Sequence, residues 1–178
     1  DSTRRDQVVS TYQIDTAKKI ILFPARMTSW KGQLEFIDVI KKMDTQNILV
    51  LFAGDTKNSS YTNLVKDKIY QNNLTSICKI LGSVNQNEIR SLYQIADLSV
   101  SFPLRAEGFG RTISESLYSN TPVLAFDYGG VKNQLENLSD LFKVKPHDYQ
   151  ALLSKIEAIL SLTENLKKEV LQEAKLVI

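Results

Sequence analysis

Cysteine, histidine and tryptophan occur once each in these 178 residues, and proline only four times. A lone cysteine, Cys78, excludes an internal disulfide and suits a reducing compartment, so a cytoplasmic setting is the expectation. A single histidine supplies no metal-spaced pair, cysteines do not cluster and no D-x-D pair occurs, so no protein-bound metal is expected. His147 precedes a helical pattern and reads as a surface or cap residue, not a catalytic base. No apolar run approaches the length that crosses a bilayer, and the polar first ten residues lack a secretory core. Charge of neither sign dominates: 22 Lys and Arg face 20 Asp and Glu. That balance gives no reason to expect nucleic acid as the partner. The phosphate-loop pattern G-x-x-x-x-G-K-[ST] is missing, and Gly108 and Gly110 are followed by Ile113 where a dinucleotide fingerprint needs glycine.

Composition is that of a soluble globular protein, 43% apolar and 24% charged, and the length allows one well-filled core, hence a single domain over 1–178. The chain opens on Asp1, which reads as a fragment of a larger protein.

Apolar, β-branched runs alternate with helical periodicity. Strands are expected at 19–25, 47–53, 76–81, 98–102 and 122–126, with a weak sixth at 141–144. Helices are expected at 33–43, 61–71, 86–95 and 111–119, with a short one at 131–136. Two more follow Pro146, one carrying Leu152, Ile156, Ile159 and Leu160, the other beginning near Thr163. Asn85 and Glu88 have capping-box spacing. Short buried strands joined by helices imply a doubly wound, Rossmann-like parallel sheet of about six strands with helices on both faces. Ligands of such α/β folds bind beyond the carboxyl ends of the strands. The loops to watch are therefore 24–31, 54–57, 82–85, 103–111 and 127–131.

Those loops hold the unusual residues. Glu107-Gly-Phe-Gly-Arg-Thr-Ile-Ser-Glu115 leaves a strand and enters a helix, exposing backbone N–H groups suited to a diphosphate between two carboxylates suited to sugar hydroxyls. Arg26 and Lys31 add a guanidinium fork and an ammonium able to neutralise that diphosphate as it leaves. Each group also has a plain reading: solvated cations flanking a turn, and ordinary helix-end glutamates. Gly129 and Gly130 fit either close approach to a ligand or a tight turn, the turn being the simpler. Trp30 reads as packed against the first helix, and Cys78, Phe102 and Phe126 as core.

Taken in order, Pro-Ala-Arg26-Met, Lys31-Gly32, Phe52-Ala-Gly54, Leu81-Gly-Ser-Val84, the string from Glu107 to Glu115, Thr121-Pro-Val and Gly129-Gly-Val131 resemble the C-terminal, donor-binding domain of retaining glycosyltransferases of the GT-B fold, family four. The resemblance covers about 20–136. It implies that Glu107 contacts hydroxyls of the transferred sugar, that Glu115 binds the ribose diol, and that Arg26 and Lys31 bind the diphosphate. Backbone at Gly108, Phe109, Gly110, Arg111, Thr112 and Ile113 would approach sugar and phosphates, with Ser83 and Val84 near the nucleobase. It implies hexosyl transfer with retention, a nucleotide sugar as donor substrate, no cofactor and no required metal. The acceptor, a glycan or glycolipid, would sit on an N-terminal domain that nothing here matches, so this chain alone is expected to bind donor and turn over little or not at all. The string Trp30-Lys-Gly-Gln33 and the pair Arg111-Thr112 look most like enzymes of bacterial lipopolysaccharide or other envelope glycans, implying peripheral association with the inner face of the plasma membrane. Rival readings are a nucleotide-sugar epimerase or phosphorylase of the same fold, and a regulatory module that binds without chemistry. Against the glycine-rich turn usual after the second strand, the chain has only Gly54-Asp-Thr-Lys57.

Overall fold

The computed structural model describes residues 2–175. All strands are parallel: β1 (Lys19–Pro24), β2 (Ile48–Ala53), β3 (Cys78–Gly82), β4 (Leu98–Ser101), β5 (Val123–Phe126) and β6 (Lys143–Val144), in the order β3-β2-β1-β4-β5-β6. The helices are α1 (Ser2–Thr11), α2 (Gln33–Ile40), α3 (Ser59–Gln71), α4 (Gln86–Ile95), α5 (Arg111–Tyr118), α6 (Val131–Leu135), α7 (Tyr149–Leu160) and α8 (Glu164–Lys175), with a 3-10 turn at Asp140–Phe142 leading into β6. The expected doubly wound α/β sheet is therefore observed, and the element order after residue 18 matches the sequence reading apart from end shifts of a few residues.

Side-chain alternation along the strands assigns the layers. On β1, Ile21 and Phe23 join the core built with α2, α3 and α7, while Ile20 and Leu22 face α1 and α4. On β5, Leu124 and Phe126 face the first layer, and Val123 and Ala125 face α5, α6 and α8. Every residue of β2 is buried, as expected of a strand covered on both faces.

Near the carboxyl ends the first layer is aromatic. Phe23 lies 5.3 Å from Phe36 and 5.5 Å from Phe52 between ring centroids, and Phe102 lies 5.6 Å from Phe36 and 5.2 Å from Phe126. Tilted and edge contacts at these distances add about 0.5–1.5 kcal/mol per pair beyond area burial. They give the loops above a rigid floor.

The sequence pattern offers no element before residue 19, yet Ser2–Thr11 is helical. Its one buried residue, Val8, packs beside Leu92 and Tyr93. Its carboxyl end is held by Lys79, whose ammonium donates to the carbonyls of Tyr12 at 3.2 Å and Gln13 at 2.6 Å. A cation placed on terminal carbonyls answers both their unpaired lone pairs and the helix dipole. Elsewhere local chemistry acts as the sequence predicts: Asn85 accepts from the Asn87 and Glu88 amides, and Glu88 reaches back to the Asn85 N–H at 2.7 Å, closing the capping box.

Candidate functional site

Strand order reverses between β1 and β4, which opens a crevice between the loops that leave them. Lys31 comes from the first loop and Glu107 from the second, and their ammonium and carboxylate meet in an ion pair. The two side chains are 19% and 17% exposed, so the contact is screened much less than a surface pair. The Lys31 ammonium also stands 4.3 Å from the centre of the Trp30 ring. Trp30 is half-buried and belongs to this loop cluster, not to the packed core against the first helix that the sequence suggested. Arg26 is exposed, and its guanidinium has no partner among the described residues.

Backbone hydrogen bonds tie the loops to one another. The Met27 N–H donates to Asp55 O at 2.8 Å, Leu104 to Trp30 O at 2.7 Å, Gly54 to Gly82 O at 2.9 Å and Gly130 to Glu107 O at 2.8 Å. Fully buried Gln33 extends this frame: its amide donates to Arg26 O at 2.8 Å and its oxygen accepts from the Tyr61 hydroxyl at 3.2 Å. Burial pushes the Tyr61 phenol up to about 12, so it remains a donor at every physiological pH. The glycine pair after β5 serves backbone packing. A Cβ on Gly130 would fall 1.8 Å from Gly108 O, and one on Gly129 would fall 2.8 Å from the Ala106 Cβ.

The loop from Glu107 to Glu115 divides by role. Gly108 and Phe109 are exposed, Gly110 is buried, and Ile113 is core. Two of the backbone N–H groups in 109–113 are already engaged: Gly110 donates to the Gln134 side-chain oxygen at 2.8 Å, and Ile113 donates to Gly110 O at 3.0 Å. Those of Arg111 and Thr112 stand in the first turn of α5, where no intrahelical acceptor exists. Tyr128, whose hydroxyl donates to Pro103 O, packs at the same crevice; burial first, then the Glu107 charge, raises its phenol above the ordinary range.

Glu115 sits on the second turn of α5 and does not join the Lys31 and Glu107 pair. Its carboxylate accepts from the Tyr93 hydroxyl at 3.0 Å and borders a groove of about 340 Å³ between α4 and α5. Gln86, Ile89 and Arg90 line the same groove. Ser83 is exposed and Val84 half-buried just before α4. A larger cavity of about 660 Å³, lined by Arg5, Asn120, Lys167 and Lys168 among others, lies near the start of β5, away from these loops.

Tyr93 and Gln134 were not singled out from the sequence, and Gln33 entered only as the last letter of Trp30-Lys-Gly-Gln33, with no bonding role foreseen. Each is a polar residue on a helix, and only tertiary placement distinguishes a buried hydrogen-bonding one from a solvated one. Thr28 and Asp127, in the loops after β1 and β5, each carry a buried side-chain oxygen without a hydrogen-bond partner.

A model of the family described as "Glycosyl transferases group 1" matches residues 5–176. The trehalose synthase of Thermococcus litoralis is 27% identical over 174 residues, covering 94% of this chain and 40% of that one. A glycosyltransferase from Rickettsia africae superposes with a TM-score of 0.90 at 30% identity, over 99% of this chain and 47% of its own. HepE of Anabaena, solved in complex with UDP and glucose, superposes with a TM-score of 0.84 at 21% identity, again over 99% and 47%. The chain thus spans less than half the length of these proteins, and its sheet matches one half of their GT-B architecture.

Proposed function

The chain belongs to the glycosyl transferases of group 1, and from that premise we propose that it is the donor-binding domain of a longer retaining hexosyltransferase. It would hold a nucleoside-diphosphate sugar while a domain N-terminal to it holds a glycan or glycolipid acceptor. The observation that carries this reading is the meeting of Lys31 and Glu107 across the crevice where strand order reverses. An ammonium and a carboxylate side by side suit a ligand with an anionic diphosphate on one side and a polyol on the other.

In this reading Arg26 and Lys31 neutralise the diphosphate, most strongly as it departs with its extra charge, and thereby lower the barrier to leaving. Two cations supply that neutralisation, so no divalent ion is required. Glu107 accepts hydrogen bonds from hydroxyls of the transferred sugar, and Glu115 from the ribose diol. Ser83 and Val84 border the base, and the unengaged amides of Arg111 and Thr112 face the phosphates. The anomeric configuration is retained. The UDP and glucose bound by the Anabaena protein support a nucleotide sugar as donor class. The setting is the cytoplasmic side of a membrane that carries envelope glycans, supported by Trp30-Lys-Gly-Gln33 and Arg111-Thr112 alone.

Calorimetric titration of this chain with UDP, GDP and ADP, and with their sugar conjugates, is expected to show binding by at least one. A folded, cooperatively melting sample that binds none overturns the reading. In the longer protein, Glu107→Ala is expected to slow transfer by roughly 10²–10³-fold, whereas unchanged transfer favours a binding module.

A further inference from the structure

We propose that Tyr93 is a positioning residue for nucleotide recognition: its hydroxyl fixes the Glu115 carboxylate so that the remaining oxygen is presented to the ribose diol in the groove between α4 and α5. The inference rests on the donor-binding reading above and deepens it.

Tyr93 is 1% exposed, and its hydroxyl donates to Glu115 Oε2 at 3.0 Å. Burial above all, then the neighbouring Glu115 charge, raises its phenol far above the ordinary range. The hydroxyl therefore keeps its proton and can only donate to a carboxylate. Its backbone is anchored as well, because the Thr121 hydroxyl donates to Tyr93 O while the Ser116 hydroxyl donates to Thr121 O at 2.9 Å. The donor is thus set by α4, α5 and the start of β5 together. Glu115 Oε1 has no hydrogen-bond partner among the described residues.

Without the tyrosine hydroxyl, the Glu115 side chain is free to turn toward Arg90, which lines the same groove. A carboxylate that wanders among rotamers loses part of its hydrogen bonding to a diol, because each bond must then also order the side chain. The tyrosine would thus contribute to ribose recognition without touching the nucleotide, an effect that sequence inspection of glutamates alone does not reach.

The test compares UDP, GDP and ADP with their 2′-deoxy counterparts on this chain by calorimetry, before and after Tyr93→Phe, which removes one oxygen and keeps the ring. The wild type is expected to prefer the ribonucleotide by roughly tenfold, the worth of a hydrogen bond to a charged acceptor. In Tyr93→Phe that ratio is expected to fall to roughly threefold or less. Adding Tyr93→Phe to Glu115→Ala is expected to change it no further. A phenylalanine variant that melts cooperatively and keeps the full wild-type ratio overturns the inference while leaving the donor reading intact. A variant that loses affinity equally for ribo and deoxy forms also overturns it, since that is the mark of a packing role. If the wild type binds no nucleotide, both readings fall together.

Discussion

At Gly130 an added methyl would stand 1.8 Å from the Gly108 carbonyl oxygen, whereas at Gly108 it would meet nothing within 4 Å. The two positions therefore separate backbone packing from ligand approach. Gly130→Ala is expected to push the loop bearing Glu107 off its seat and cost about 1–3 kcal/mol, a fall in melting temperature of roughly 2–10 °C for a chain this size. Gly108→Ala is expected to melt within about a degree or two of wild type, with any loss confined to donor affinity. A melting curve and one titration per variant check both. Residue by residue, the sequence reading put Lys31 and Glu107 in loops at strand ends, and the structure brings their side chains together in an ion pair. It was blind to contacts that depend on which neighbour a helix happens to face. Glu115 shows the difference: its place on a helix was legible, its hydrogen bond from the Tyr93 hydroxyl was not. Ile113 shows the converse, since its backbone lies in the motif and its side chain fills the core.

Among elements, the packing of α2 on α3 includes a tie with a defined pH signature. Lys68 of α3 donates to Asp38 of α2 at 2.6 Å, and Lys41 bridges the same carboxylate at 3.0 Å. Partial burial opposes the charge on Asp38, but its hydrogen bonds to Lys68 and Lys41 outweigh it and hold its carboxyl below the usual range. A folded pKa lowered in this way adds stability above the ordinary carboxylate range and loses it as pH falls through the lowered value. Lys68→Met should therefore destabilise by about 0.5 kcal/mol near neutrality, a modest figure because both groups are partly solvated and Lys41 remains. That deficit should shrink toward zero in acid, where Asp38 is protonated in both proteins. Urea titrations at neutral and acid pH compare the two; a constant deficit would mean that lost packing of the lysine stem, not charge, is responsible. Element by element the strands were legible because buried parallel strands read as continuous apolar runs. Helix α1 was not, because its docking rests on Val8 and on a lysine from β3 far along the chain.

For the molecule as a whole, the single thiol offers a measure of opening. Cys78 is buried, and burial pushes its thiol up to about 12, so its alkylation is expected to require opening of the structure around it. A nucleotide that binds only the folded chain should slow alkylation of Cys78 by the same factor by which it stabilises, about a hundredfold at a hundred times its dissociation constant. Unslowed labelling with a bound nucleotide would place Cys78 in a unit that opens independently of the crevice. The global fold was the most legible scale of all, since alternating strands and helices leave few topologies open once crossovers must be right-handed.

Four of the hydrogen bonds joining the loops above the sheet, from Met27, Gly54, Leu104 and Gly130, run from backbone amide to backbone carbonyl, atoms that every non-proline residue carries. Letters in those loops can therefore be exchanged without redrawing the frame on which they are written. In the proposed donor-binding reading, a new sugar or base becomes a matter of vocabulary at exposed positions such as Ser83 or Phe109. The grammar stays fixed by a few spots, Gly54 and Gly130 among them, where a methyl group has no room.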